Sequence, residues 1–162
     1  MNFLRSRTAP PFVEEAQAED LPRMAEIHAR SFAHAWDADE LARMLGQEGT
    51  FALVVRRPQG TSPSKVLGFI LIRAVADEAE ILTVAVDPQS RSGGLAGKLL
   101  KEATFRLYGD RCEALFLEVD AANEPALRLY KAAGFRKVGE RKGYYRAGDG
   151  DGTALVMRAD LL

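Results

Sequence analysis

At 162 residues the chain has room for one domain with a proper core, and its 22 Lys and Arg against 23 Asp and Glu leave a formal charge of −1. That balance excludes a strong field drawing it to nucleic acid or to an anionic membrane. No apolar run approaches the ~20 residues of a membrane span, and a single cysteine excludes an internal disulfide, so a cytoplasmic protein is expected. Cys112 and the two histidines are scattered, without metal-ligand spacing, so no metal is expected.

Met1 to Pro11 carries Arg5 and Arg7 but no apolar centre and reads as a flexible leader, with residues 12–162 as one domain. Phe12 to Ala18 alternates as a strand does. Glu19-Asp20-Leu21-Pro22 opens a helix, with acidic residues and then Pro in the first turn. Leu21, Met24, Ile27 and His28 share one face of it, and Phe32, near Trp36, ends the segment. Asp37 is the cap of a second short helix carrying Leu41, Met44 and Leu45. Thr50 to Arg56 reads as a strand, Arg57 to Lys65 as a Pro/Gly/Ser hairpin loop, and Val66 to Val75 and Glu80 to Val86 as strands.

Leu95, Leu99, Ala103 and Leu107 then recur at helical spacing. Ala114 to Val119 is a continuous apolar run, the mark of a strand covered on both faces. Asn123 followed by Pro125 opens another helix, which Gly134 closes as a left-handed C-cap, with Phe135 packing back. Arg136 to Tyr145 and Thr153 to Ala159 are the last strands, around a loop from Ala147 to Gly152. The order β-α-α-β-β-β-α-β-α-β-β predicts a mixed α/β (α+β) domain of seven strands and about four helices.

The run Ser90-Arg91-Ser92-Gly93-Gly94-Leu95-Ala96-Gly97 lies between the Glu80–Val86 strand and the Leu95 helix. A glycine-rich strand-to-helix turn points several backbone N–H groups at one place and adds the positive end of the helix dipole, which makes an anion site. It is not a Walker A loop, because Leu99 follows Gly97-Lys98 where a metal-binding Ser or Thr belongs. Nor does the glycine spacing fit the dinucleotide fingerprint. It does fit Arg-x-x-Gly-x-Ala. Glycine required only by a tight turn explains the isolated loop as well.

A second stretch is Leu117-Glu118-Val119-Asp120-Ala121-Ala122-Asn123, followed by Leu129-Tyr130-Lys131-Ala132-Ala133-Gly134-Phe135. Glu118 stands out because a carboxylate in an apolar strand must be paired, protonated or at a wet opening. Taken alone, a strand-end residue facing solvent or a structural Arg explains it too. Tyr130 alone is an ordinary core aromatic and Asn123 alone a helix cap.

In order, these stretches resemble the GNAT superfamily of N-acetyltransferases over about residues 12 to 160. Arg91, Gly94 and Ala96 match its Q/R-x-x-G-x-G/A loop, and Asn123, Leu129, Tyr130, Gly134 and Phe135 match its N-x(5)-L-Y-x-x-x-G-F signature. The similar branch is the ribosomal-protein-alanine N-acetyltransferases, through Val86-Asp87-Pro88, Leu117-Glu118-Val119 and Tyr144-Tyr145. The chain departs from that branch at Asp120, where it has an Arg, at Ala122, where it has a Ser, and at Gly152-Thr153, where it has an acidic residue.

The resemblance implies a mostly antiparallel seven-stranded sheet whose central parallel strands splay apart. It implies an acyltransferase using acetyl-CoA as co-substrate. Arg91, Asn123 and the backbone of Ser92, Gly93, Gly94, Leu95, Ala96 and Gly97 would bind the cofactor. Val84, Ala85 and Val86 would pair with its pantetheine arm as an added strand does. Glu118 is implied as general base and Tyr130 as general acid; no enzyme cysteine is placed by any motif, so attack is direct. Tyr144 and Tyr145 would wall the acceptor groove, ordinary cross-strand aromatic contacts being the other reading, and Asp120, Asp149 and Asp151 would attract a cationic amine terminus, solvated loop charges being the other reading. The acceptor implied is a protein N-terminus, alanine-like and ribosomal in that branch. A small-molecule amine, or a non-catalytic acyl-CoA-binding role, remains the alternative. No nucleic acid or membrane partner is expected, and the protein is expected to be a monomer or weak dimer.

Overall fold

Alternating apolar residues give β1 (Phe12–Glu15), and the chain then tightens into a 3-10 turn at Ala18–Asp20, where the Gln17 N–H donates to the Asp20 carboxylate at 2.8 Å. This is the computed structural model of the chain, and it describes residues 9–59, 62–143 and 152–162. Helix α1 (Leu21–Ser31) follows with Pro22 in its first turn, and α2 (Ala38–Leu45) is capped as expected, the Asp37 side chain accepting from the Glu40 N–H at 2.8 Å.

The next two strands run longer than their sequence promises. β2 (Thr50–Gln59) and β3 (Ser62–Val75) pair through Arg57↔Lys65 and Gln59↔Ser62, so most of the expected Arg57–Lys65 loop is sheet. The ladder tolerates Pro58 because its register shifts between Arg57 and Gln59, and the proline occupies the skipped position. After β4 (Glu78–Val86) comes a 3-10 turn, Pro88–Gly93, and then α3 (Leu95–Gly109). The remaining elements are β5 (Ala114–Asp120), α4 (Glu124–Ala132), β6 (Arg136–Arg141) and β7 (Ala154–Asp160). Gly134 takes φ 94°, the left-handed cap expected of it, and Phe135 is buried behind it.

The seven strands form one sheet in the order β1-β2-β3-β4-β5-β7-β6. Every neighbouring pair is antiparallel except β4 with β5. Helix α3 covers one face, where Leu95, Leu99, Leu100, Ala103 and Leu107 meet Leu115, Leu117 and Val119. On the other face Met24, Ile27 and Leu41 of α1 and α2 meet Ala52, Val54, Phe69, Leu71 and Ala85. Those two helices cover the β2–β4 half only. On β5, therefore, Leu115, Leu117 and Val119 are buried while Phe116, Glu118 and Asp120 on the opposite face are only half-buried. The expectation of cover on both faces is corrected: the run is continuous because Phe116 is apolar, not because a helix lies over it.

One irregularity shapes the centre of the sheet. Leu71 pairs with Thr83 but Ile72 pairs with Ile81, so Leu82 is an extra residue in β4. Such a bulge bends and twists its strand. β4 pairs with β5 only at Glu78↔Ala114, Ala79↔Leu115 and Glu80↔Phe116, and the two strands then part. Gly68 faces Val86 across the ladder at the far end of β4. A Cβ there would lie 2.8 Å from the Ala85 carbonyl oxygen and 3.2 Å from the Val86 Cα. Backbone on both sides cannot yield cheaply. Gly68→Ala is therefore expected to destabilise the fold by about 1–3 kcal/mol, read as a lower denaturation midpoint at unchanged m-value.

Candidate active site

Beyond Val86 the chain turns on a buried carboxylate. Asp87 caps the Pro88–Gly93 turn by accepting from the Gln89 N–H at 3.1 Å. Its other oxygen receives Arg23 Nη2 at 2.5 Å, and Arg30 approaches to 3.8 Å. Arg23 also donates from Nε to the Val66 carbonyl at 3.1 Å, so one ion pair ties α1, β3 and the turn together. Burial by itself pushes the Asp87 carboxyl up. The Gln89 N–H and the Arg23 and Arg30 guanidiniums outweigh burial and hold it below the usual carboxylate range. The sequence signal for this was available in Val86-Asp87-Pro88: an Asp followed by Pro is an N-cap followed by N1.

Arg91 is directed back into the protein. Its Nε donates to the Val86 carbonyl at 3.4 Å and its Nη2 to the Ser31 hydroxyl at 3.2 Å, so it braces the turn against the last turn of α1. Ser92 and Gly93 complete the 3-10 turn, and Gly94 adopts the left-handed conformation at φ 69°. Among the described residues no side chain caps α3, and its first turn holds no acidic residue. The first bond within the helix is from the Lys98 N–H to the Gly94 carbonyl at 3.2 Å, so the N–H groups of Leu95, Ala96 and Gly97 lie ahead of it. Leu95 is buried in the core, and Ala96 and Gly97 add little bulk. This is a bare positive helix end suited to an anion.

Val84, Ala85 and Val86 pair with Ile70, Phe69 and Gly68 on the β3 side, and β5 has left them on the other. Their open edge and the α3 N-terminus lie at the same end of the parting strands. Glu118 sits on β5 between Leu117 and Val119, which face α3, so its side chain projects from the opposite face. Its Oε1 lies 3.1 Å from Arg141 Nη2; the glutamate is 22 % exposed and the arginine 59 %. Arg141 was not singled out from the sequence. The register could have found it, since Val156 pairs with both Glu118 and Gly139, and Arg141 is two residues further along the same face. An ion pair this exposed contributes about 1 kcal/mol or less.

Tyr130 is buried on α4, edge-on to Phe135 at 5.8 Å, in the same layer as Leu117 and Val119. Glu118 and Tyr130 therefore flank β5 from opposite faces. A Cβ on Gly97 would lie 3.9 Å from Leu129 Cδ1, so the first turn of α3 meets α4 one residue from Tyr130. Asn123 caps α4, its side-chain oxygen Oδ1 accepting from the Ala126 N–H at 3.2 Å. Asp120 ends β5 and accepts from the Ala122 N–H at 2.9 Å. Tyr144, Tyr145, Asp149 and Asp151 lie outside the described residues. Among the described residues, no group of His, Cys, Asp and Glu could hold a metal, and no helix is long and apolar enough to cross a membrane.

Residues 21–135 match the model of the acetyltransferase (GNAT) family. This chain belongs to that family. The acetyltransferase is 30 % identical over 145 residues to the [ribosomal protein bS18]-alanine N-acetyltransferase of Escherichia coli, covering 90 % of this chain and 94 % of that one. It is 31 % identical over 159 residues to the N-alpha-acetyltransferase RimI of Mycobacterium tuberculosis, covering 94 % of each. The crystal structure of the E. coli enzyme superposes with a TM-score of 0.83 at 28 % identity over 94 % of both chains. Arabidopsis thaliana NAA60, solved in complex with acetyl-CoA, shares the fold at a TM-score of 0.78 and 22 % identity, over 93 % of this chain and 98 % of that one.

The Asp87 pair supports the shape of this acetyltransferase's cleft. Asp87→Ala is expected to cost about 2–3 kcal/mol, the range for a hydrogen bond to a charged group, and Asp87→Asn less because the cap survives. The folded pKa lies below the unfolded one, so this contribution is whole above about pH 4. It is lost as the pH falls through the lowered value. Acid titration of the wild type against Asp87→Asn by circular dichroism checks the sign.

Proposed function

We propose that this enzyme transfers the acetyl group of acetyl-CoA to the main-chain amine of a protein N-terminus, alanine-like and ribosomal by the likeness to the bS18-alanine acetyltransferases. The observation that carries the reading is the parting of β4 from β5 after Glu80↔Phe116, with the bare α3 N-terminus at its open end. The N–H groups of Leu95, Ala96 and Gly97 bind the pyrophosphate, and Gly94 leaves it room. Val84, Ala85 and Val86 offer backbone donors and acceptors to the two pantetheine amides.

Chemistry needs a neutral amine beside a polarised thioester. A main-chain amine, with a pKa near ~8, is partly neutral at pH 7, whereas a lysine near ~10.4 is not. Glu118 takes the proton as the amine nitrogen bonds to the acetyl carbon. A backbone N–H near Val86 steadies the oxygen as it gains charge. The carbon–sulfur bond then breaks, and Tyr130 gives its proton to the departing thiolate. Arg141 leaves Glu118 when the neutral amine of the acceptor arrives, which frees the carboxylate to accept its one proton.

A mass-spectrometric panel tests the acceptor. Peptides starting with Ala are expected to gain 42 Da (the mass of an acetyl group replacing a hydrogen) at the N-terminus, faster than polyamines, amino acids or lysine side chains. Acetylation of small amines alone overturns the N-terminal reading, and no turnover with any amine leaves a binding module. Glu118→Gln is expected to lower kcat on the order of 10²-fold with acetyl-CoA affinity unchanged, and Tyr130→Phe likewise. Unchanged turnover in both removes them from the mechanism. Gly94→Glu sets a charge against the phosphates and is expected to abolish acetyl-CoA binding in calorimetry. Gly94→Ala controls for the left-handed strain, about 1–2 kcal/mol, since a Cβ there meets nothing within 4 Å.

A further inference from the structure

His28 is a buried titratable side chain that takes no part in this chemistry. His28, in the last turns of α1, is 3 % exposed. Its Nδ1 accepts from the backbone N–H of Trp36 at 3.0 Å, so the ring proton belongs on Nε2. The imidazole stacks on the Trp36 ring at 4.8 Å and 10°, and Phe32 leans on it at 4.5 Å. Phe69 of β3 lies behind at 6.2 Å. The segment from Phe32 to Trp36 is thus folded back over one histidine.

That segment leaves α1 at the mouth of the cleft. Ser31 is held by Arg91, and Arg30 approaches Asp87, both at the end of β4 where the strands part. Helices α1 and α2 lie on the sheet face that also carries Glu118, because Leu117 and Val119 face the α3 side. The Phe32–Trp36 segment therefore starts beside the open end of β4, on the sheet face that carries Glu118.

We propose that His28 is a positioning residue for the acceptor: by receiving the Trp36 N–H and stacking on its ring, it fixes the loop that walls the entrance to Glu118. This rests on the acetyl-transfer reading, in which Glu118 marks the acceptor's side. Burial lowers the pKa of His28, which keeps Nδ1 free of a proton at neutral pH. A lysine or phenylalanine in its place has no side-chain acceptor. Asparagine keeps one, its Oδ1 lying where Nδ1 does.

Two variants separate the parts of this arrangement. His28→Phe keeps an aromatic ring and removes the acceptor; His28→Asn keeps the acceptor and removes the ring. Losing the hydrogen bond is expected to raise KM for an Ala-starting peptide about fivefold in His28→Phe, with kcat and the acetyl-CoA KM unchanged. His28→Asn is expected to recover most of that loss. Trp36 is the only tryptophan of the chain, so acrylamide quenching of its fluorescence reads the loop directly, and stronger quenching is expected in His28→Phe than in His28→Asn. An unchanged acceptor KM in His28→Phe overturns the proposal, as does an equal rise in the acetyl-CoA KM. If His28→Phe does not fold, a His28→Asn enzyme with wild-type quenching and a raised acceptor KM overturns it. If the panel shows only small amines acetylated, the N-terminal reading falls, and the same KM comparison on the accepted amine still decides the role of His28.

Discussion

Two parallel strands that begin together and then separate set the conditions for everything else in this molecule. Backbone groups along a strand edge need partners, and a sheet ordinarily supplies them from the next strand. Here the β4–β5 ladder ends after three residue pairs. The edge of Val84–Val86 is then left to whatever extended, amide-bearing group enters the gap. The bulge at Leu82 and the close approach at Gly68 hold β4 to β3 while β5 follows β7 instead, paired with it along its whole length. The cleft is thus a consequence of two competing pairings rather than of a missing side chain.

Charge organises the rim of that cleft. Asp87 draws Arg23 and Arg30 of α1 inward and caps the turn with its other face, while Arg91 runs from the end of β4 to Ser31. Three cationic side chains near the turn before α3 are therefore partly committed to the protein itself. What is left to face a diphosphate is mainly main-chain N–H at the start of α3, a donor set that does not swing away and loses little entropy on binding. Pre-organisation of this kind favours a ligand whose phosphates are fixed and whose reactive end lies elsewhere, as in a long thioester arm.

The elements that were legible in the sequence are those whose conformation demands a particular residue. Gly94 at φ 69° and Gly134 at φ 94° are positions that few other residues accept, and Asp37 and Asn123 are side chains that cap by their own chemistry. The turn before α3 and the ends of α2 and α4 could be read from them. The bulge at Leu82 could not, because an extra leucine inside an apolar strand changes neither composition nor propensity. Pro58 misled in the other direction: read as a loop breaker, it lies at a register shift inside a strand. Glu118 was legible as an anomaly, but its partner Arg141 is nearly two dozen residues away and joins it only through the shared neighbour Val156. Side-chain neighbours that depend on strand order are the ones a linear reading misses.

The two sides of the cleft differ in what holds them, and that difference bears on specificity. The donor side is built from main chain anchored in the largest core cluster, where Leu95, Leu99 and Leu100 pack under the α3 N-terminus. The opposite face rests on half-buried groups: Glu118 with Arg141, Asp120 in a turn, and the Phe32–Trp36 loop folded over His28. Core-anchored main chain changes little when surface residues are substituted, whereas half-buried side chains can be exchanged at a cost near that of one surface interaction, about 1 kcal/mol. Asp120 is such a half-buried side chain, at the end of a strand, where it accepts a turn hydrogen bond from the Ala122 N–H.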